Sequence, residues 1–219
     1  DAAGEVTATH DMAPPVLAAV VAAAAGLTGP ILQVPPMVSA VRVDGRRLHE
    51  LAREGVEVAR EARPVTVHRF SVAPTEDPMV WRAEVVCSSG TYVRVLAADL
   101  GAALGGGAHL RGLRRTAIGS FAVAEGVPVD DLDPARLLPP AAALRDHPSV
   151  VVDGDLLAAV RHGKVLPEAS VAPTGGPGTP LDVEDPAWAV LDPDGALVAV
   201  YERHTAGTAK PAVVVAPAG

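Results

Sequence analysis

Proline and glycine cut this chain into short segments, and that punctuation limits what it can build. Pro14 and Pro15 open, and Gly29 and Pro30 close, a stretch that reads as a helix over residues 13–28. Residues 30–44 read as an extended segment kinked at Pro35 and Pro36, ending in a turn at Asp44 and Gly45. Residues 46–54 read as a short helix, with Leu48, Leu51 and Ala52 on one face and Gly55 as its stop. Strands are expected at 65–72 and 80–87; in the second, Trp81, Ala83, Val85 and Cys87 alternate with Arg82, Glu84 and Val86. Ser88, Ser89 and Gly90 form a loop, and Thr91 is the candidate N-cap of a helix running to about Leu104. That helix would bury Val93, Leu96, Ala97, Leu100 and Leu104, and Gly105, Gly106 and Gly107 would break it. A strand over 113–123 would close this part. Composition then shifts. Asp130, Asp131, Asp133 and Pro134 read as an acidic linker with a helix start, followed by short helices at 137–144 and 155–162. Residues 174–180 read as an unstructured Gly/Pro insert, 187–200 as a hairpin around Pro193, Asp194 and Gly195, and 213–215 as a last strand. The expected organisation is one domain over 1–128, a linker over 129–149 and a small β-rich domain over 150–219.

Aromatic residues make up only 3% of the chain, so its core must be built from Ala, Val and Leu. With 49% hydrophobic and 20% charged residues, the composition is that of a globular protein. No run of about 18 strictly apolar residues exists, so no membrane span is expected. The alanine-rich stretch 16–27 imitates the apolar core of a signal peptide, but it lacks a basic leader and follows Asp1, Glu5 and Asp11. Cys87 is the single cysteine, which rules out a disulfide within the chain, favours a cytoplasmic location and reads as a small core residue. The seven histidines show no ligand spacing, and no nucleotide-binding loop is present, so neither metal nor cofactor is expected. The chain starts at Asp1 rather than Met, which reads as a fragment, an incomplete gene model or a processed product.

A net charge of -8 argues against a nucleic-acid partner if taken globally. The charge is uneven, however. Residues 1–128 hold 12 Lys and Arg against 13 Asp and Glu, whereas 129–219 hold 6 against 13. Between Gly90 and Arg115, Arg94, Arg111, Arg114 and Arg115 face only Asp99. Screening confines charge effects to about 8 Å at physiological salt, so this local patch matters more than the sum.

Three stretches carry the candidate chemistry. In the first, 87–101, Arg94 falls in the first turn of the expected helix, where a cation opposes the helix dipole. A nearby carboxylate would compensate; alternatively the side chain lies over its own helix at the surface. Tyr92 offers a flat ring and a hydroxyl, suited to a base or a buried partner. In the second, 105–121, adjacent Arg114 and Arg115 would point to opposite faces of an extended chain, one toward a phosphate, or serve as strand-edge charge. Leu113 reads on its own as a core leucine. In the third, 33–55, two prolines make a rigid edge segment, and Arg42, Arg46, Arg47 and Arg53 are offset by Asp44, Glu50 and Glu54.

At these stretches the chain resembles the TruB family of tRNA pseudouridine synthases. The blocks run in order: Q-V-P-P-x-V-S-A-V-R-V-x-G with A-R-x-G behind it, C-S-S-G-T-Y-V-R-x-L-x-x-D-L-G, and L-G-x-G-A-H-L-x-x-L-R-R-T-x-I-G-x-F. Residues 1–4 resemble the end of a further block, T-x-D-x-x-G, and the C-terminal part resembles a PUA-type RNA-binding module. The resemblance implies a mixed, largely antiparallel sheet flanked by helices, with a β-rich PUA-like domain. It implies isomerisation of a T-arm uridine of tRNA to pseudouridine, without a cofactor, by a monomer, with the base flipped into a pocket. Arg94 would pair with the nucleophilic aspartate, Tyr92 would line the uracil pocket and Leu113 would pack beneath the base. From their charge, and not from the resemblance, Arg114, Arg115 and Arg42 would add RNA contacts. The family's G-x-L-D block, which holds that aspartate, and its K-x-Y block do not occur in this sequence, so the chain alone is expected to be inactive or a non-catalytic RNA-binding remnant. Val38 and His49 stand where many members carry an aromatic residue, and Arg42 where many carry lysine.

Overall fold

The computed structural model describes every residue except 1, 3, 7, 40, 44, 174–186 and 216–219. The expected insert at 174–180 therefore lies outside the described residues, as do Asp1, Ala3 and Asp44 of the segments read above. The chain forms two compact units, Asp1–Arg114 and Arg115–Gly219.

In the first unit, helix α1 spans Leu17–Gly26. It is shorter than its proline bracket: Ala13 and Pro14, which precede prolines, are pushed out of the helical region, and Val16 is the extended N-cap, with ψ 150°. Strand β1 (Gly29–Gln33) follows, then a two-residue hairpin of β2 (Arg42–Val43) and β3 (Arg46–Arg47), then helix α2 (Leu48–Arg53). Gly45, at φ +81°, makes the hairpin turn that an L side chain would resist. Strands β4 (Arg63–Pro74) and β5 (Trp81–Cys87) and helix α3 (Val93–Ala103) complete the unit. β1, β4 and β5 form an antiparallel sheet in that order. A register shift between Val67 and Arg69 interrupts the β4–β5 pairing as a β-bulge does. α1 packs on β4 and against α3, burying Val20, Ala24, Val65, Val67 and Leu96. Of the five residues expected on the buried face of α3, only Leu96 is fully enclosed; the other four are half-buried. Each Val or Leu fully withdrawn from water here contributes about 1.5–3 kcal/mol.

The second unit opens with a hairpin of β6 (Ala117–Ile118) and β7 (Phe121–Ala122), not the single strand expected over 113–123. The chain reverses at Gly119, with φ +54°, and side chains lock the turn. Asp146 accepts the Ser120 N–H at 2.8 Å, and the Arg145 guanidinium lies 3.7 Å over the Phe121 ring. The same guanidinium donates to Glu125 at 2.9 Å and 3.2 Å. Arg145 holds the Glu125 carboxyl below its ordinary range, and the Ser120 N–H does the same for Asp146. Short 3-10 turns carry the chain onward. The α-helix expected over 137–144 is one of them, Pro140–Leu144, because Pro139 and Pro140 remove two amide donors.

The rest of the unit is a five-stranded sheet in the order β8-β10-β11-β12-β9. Its strands are β8 (Ser149–Val151), β9 (Leu166–Pro167), β10 (Trp188–Leu191), β11 (Leu197–Arg203) and β12 (Thr208–Val214), with helices α4 (Gly154–Arg161) and α5 (Glu168–Val171). β8 runs parallel to β10, and the other pairs are antiparallel. Val152, Val160, Val171, Trp188, Val190, Val198, Ala199, Tyr201 and Ala209 form a core of its own. The buried Tyr201 hydroxyl donates to the Lys164 carbonyl at 2.8 Å. β12 begins five residues before the expected 213, through Pro211. β9 pairs only with Thr208 and Ala209, so at Pro211 the strand has one neighbour and the missing N–H costs no ladder bond. Both units are mixed α/β structures dominated by antiparallel sheet.

Candidate nucleic-acid site

The head of α3 carries Tyr92 and Arg94. The end of β5 is closed by Ser88, whose N–H donates to the Thr66 carbonyl at 2.8 Å while its hydroxyl accepts the Thr66 N–H at 2.9 Å. Ser89 and Gly90 then turn the chain, Gly90 at φ +78°, and the helix starts. Its N-cap is Tyr92, with no side-chain cap, rather than the expected Thr91. Thr91 instead faces Ser88, hydroxyl to hydroxyl at 3.5 Å. The start is set from outside the helix: Gln33, at the end of β1, accepts the Tyr92 N–H at 2.8 Å and donates to the Tyr92 carbonyl at 3.3 Å. A contact across 59 residues leaves no local signal at Thr91, and this explains the misplaced cap.

Arg94 occupies the first turn of α3, where its charge opposes the helix dipole. The side chain is half-buried, and Nη2 donates to the Val38 carbonyl at 2.8 Å. Among the described residues no carboxylate lies within 4.0 Å of it; the compensating partner is a carbonyl dipole, and the remaining guanidinium donors are free. The strip that supplies this carbonyl is itself tethered. Arg60 donates to the Pro35 carbonyl at 3.1 Å, the His49 N–H donates to the Ser39 carbonyl at 3.1 Å, and Pro35 is fully buried. Tyr92 is half-buried, and its hydroxyl has no hydrogen-bond partner among the described residues. Farther along α3, burial pushes the Asp99 carboxyl up.

The other candidates sit on exposed chain. Leu113 is 67% exposed, so the core reading of this leucine fails and a large apolar side chain stands at the surface. Arg114 is exposed beside it at the end of the first unit, and Arg115, exposed too, opens the second. Arg42 is exposed on β2. No hydrogen bond or ion pair joins Leu113, Arg114 or Arg42 to Tyr92 or Arg94 among the described residues.

The loop that presents Leu113 is nevertheless held in place. Gly105, at φ +81°, ends α3. A Cβ at Gly106 would overlap Met12, one at Gly107 would overlap His10, and one at Gly101 would overlap the backbone of Gly107 and Ala108. The Leu110 carbonyl accepts the Ala2 N–H at 3.0 Å. Gly106 and Gly107 therefore let the loop lie against Met12 and His10, a role their spacing alone did not reveal.

Two residues missed by sequence reasoning are Gln33 and Val38. Gln33 had a usable signal, a lone polar side chain between apolar residues within the extended segment expected over 30–44. Val38 acts through its carbonyl and had none. A groove at the β4–β5 tip, lined by Arg82, Arg111, Glu76 and Asp77 among others, shares no residue with this site. Among the described residues there is no cluster of three or more potential metal ligands, and no helix is long and apolar enough to cross a membrane.

Comparison with known proteins places the chain in one family. The family description "TruB family pseudouridylate synthase (N terminal domain)" matches residues 1–93, and "tRNA pseudouridylate synthase B C-terminal domain" matches residues 94–146. A protein named tRNA pseudouridine synthase B from Symbiobacterium thermophilum is 51% identical over 74% of this chain and 56% of its own length. One of the same name from an Arthrobacter species is 40% identical over 99% of this chain and 72% of its own length. The chain thus spans between about half and three quarters of these relatives. Among solved structures, a Cbf5–Nop10–Gar1 complex matches with a TM-score of 0.67 at 24% identity, over 91% of this chain and 58% of that one. An H/ACA RNP bound to a substrate RNA matches with a TM-score of 0.65 at 20% identity, over 95% and 64%. These two likenesses concern the fold.

Proposed function

Because this chain belongs to the TruB family of pseudouridine synthases, we propose that the protein it comes from isomerises a T-arm uridine of tRNA to pseudouridine. The observation that carries this reading is Arg94, held by one N–H on the Val38 carbonyl with its other donors free for a carboxylate. The relatives' names supply tRNA as the substrate. In the reaction the bond from the uracil N1 to the ribose breaks, the base turns, and a bond from C5 to the same ribose carbon replaces it. The proton on C5 leaves to solvent and N1 gains one, so the change is an isomerisation and needs no redox partner. The nucleophile is an aspartate from a G-x-L-D block, which this sequence does not contain. Arg94 keeps that aspartate ionised, since an adjacent cation favours the charged form. Tyr92 lines the uracil pocket, and Leu113 packs beneath the base. Arg42, Arg114 and Arg115 meet backbone phosphates. The enzyme acts as a cytoplasmic monomer, and the five-stranded unit serves as a PUA-type RNA-binding module.

The direct test uses tRNA tritiated at C5 of uridine. The protein from the complete reading frame should release tritium, and residues 1–219 alone should release none. Lack of release by the complete protein sinks the enzymatic reading and leaves a non-catalytic RNA-binding protein. For the phosphate contacts, replacing Arg114 and Arg115 by Ala should weaken tRNA binding and flatten the slope of log Kd against log salt by roughly 1–2. An unchanged slope removes both from the interface.

A further inference from the structure

We propose that Gln33 is a positioning residue for the uridine pocket, one whose carboxamide sets the register of the chain that carries Tyr92 and Arg94. The proposal rests on the functional reading of those two side chains given above. Gln33 is 1% exposed, and Ser39 is the only other fully buried polar or charged residue among the described ones. An amide so enclosed is costly unless paired, and this one is paired at both ends. Its oxygen takes the Tyr92 N–H at 2.8 Å and its nitrogen gives to the Tyr92 carbonyl at 3.3 Å. A single side chain thus treats Tyr92 as a neighbouring strand would, meeting both backbone groups of one residue. An apolar side chain of the same size would fill the space but leave the Tyr92 N–H without its partner.

The location turns this clamp from a staple into a positioning device. Tyr92 is the N-cap of α3, so fixing its backbone fixes where the helix begins and the angle at which Arg94 leaves it. The same strip of chain then touches the helix a second time. Pro35 and Pro36 stiffen it, Arg60 holds the Pro35 carbonyl, and five residues after Gln33 the Val38 carbonyl receives Arg94. Gln33 holds the N-cap of the helix and Val38 holds the guanidinium that leaves its first turn. Small errors in the placement of a reacting group cost large factors in rate, so the clamp should act on turnover more than on affinity.

The test compares Gln33→Met, close in shape but unable to pair, with Gln33→Glu, in the protein from the complete reading frame. At neutral pH Gln33→Glu keeps the acceptor for the Tyr92 N–H but sets an oxygen against the Tyr92 carbonyl. Once protonated, it donates as the amide does. For Gln33→Met, kcat for tritium release should fall at least about 10-fold, with KM and tRNA Kd within about threefold. The Tyr92 amide should exchange with solvent at least about 10-fold faster, while the Leu96 amide keeps its protection. For Gln33→Glu, kcat relative to the parent should recover as pH falls. A parental kcat in Gln33→Met overturns the proposal. So does a parallel loss of kcat, tRNA affinity and Leu96 protection, which would mark a purely structural residue. If Gln33→Met does not fold, the pH profile of Gln33→Glu decides: recovery on acidification supports the clamp, and a profile parallel to the parent's refutes it. A parent protein that releases no tritium fails the functional reading instead, and exchange at the Tyr92 amide still tests the clamp by itself.

Discussion

In the protein from the complete reading frame, Arg94→Ala should lower kcat for tritium release by about 100-fold or more while leaving the tRNA Kd within about threefold. The expectation follows from how the side chain is held. Its single partner among the described residues is the Val38 carbonyl, and a half-buried guanidinium with free donors at a helix N-terminus is costly to maintain unless a carboxylate completes its shell. On the proposed mechanism, removing it leaves the nucleophilic carboxylate without its counter-charge, which raises its pKa and withdraws the nucleophile. Arg94→Lys should recover little. An ammonium can keep the charge, but it cannot offer a planar fork with one arm on a carbonyl and the other on a carboxylate. Steady-state kinetics alongside filter binding decides the matter. Equal losses of turnover and affinity would place Arg94 on the RNA backbone, and full activity would remove it from the site.

Gly101→Ala should destabilise the first unit by about 2–3 kcal/mol or more, the cost of forcing extra volume into a packed contact. A Cβ there meets backbone atoms of Gly107 and Ala108, which cannot rotate away as a side-chain tip would. The loop must move, and with it the chain leading to Leu113. Gly105→Ala provides the control. Nothing lies within 4 Å of a Cβ at that position, so its cost is the left-handed φ of +81° alone, about 1 kcal/mol. Urea denaturation should rank the two variants in that order. If Gly101→Ala is the milder, the close packing of α3 on the loop is wrong. The Gly101→Ala protein should also lose turnover beyond its loss of stability, because the loop it displaces presents Leu113.

Much of the architecture is local and was legible in the residues. α1 lies inside its proline and glycine bracket, α2 ends before Gly55, β5 shows its alternation, and the hairpin at 193–195 joins β10 and β11 as the turn residues require. Each depends on neighbours within a few positions, through backbone sterics and burial periodicity, and that information is written in order along the chain. The order of the motif blocks likewise sufficed to indicate the family. What the sequence left undecided involves pairs far apart. The cap of α3 moved from Thr91 to Tyr92 because Gln33 reaches it across 59 residues. The partner of Arg94 among the described residues is a carbonyl 56 positions away, a contact that no local pattern marks. The hairpin at 117–122 replaced a strand because Arg145 and Asp146 hold its turn. In each case the deciding group is a backbone amide, a backbone carbonyl or a distant side chain. Every residue carries a carbonyl and every one but proline an amide N–H, so only folding, which brings two such groups within about 3 Å, can say which ones meet.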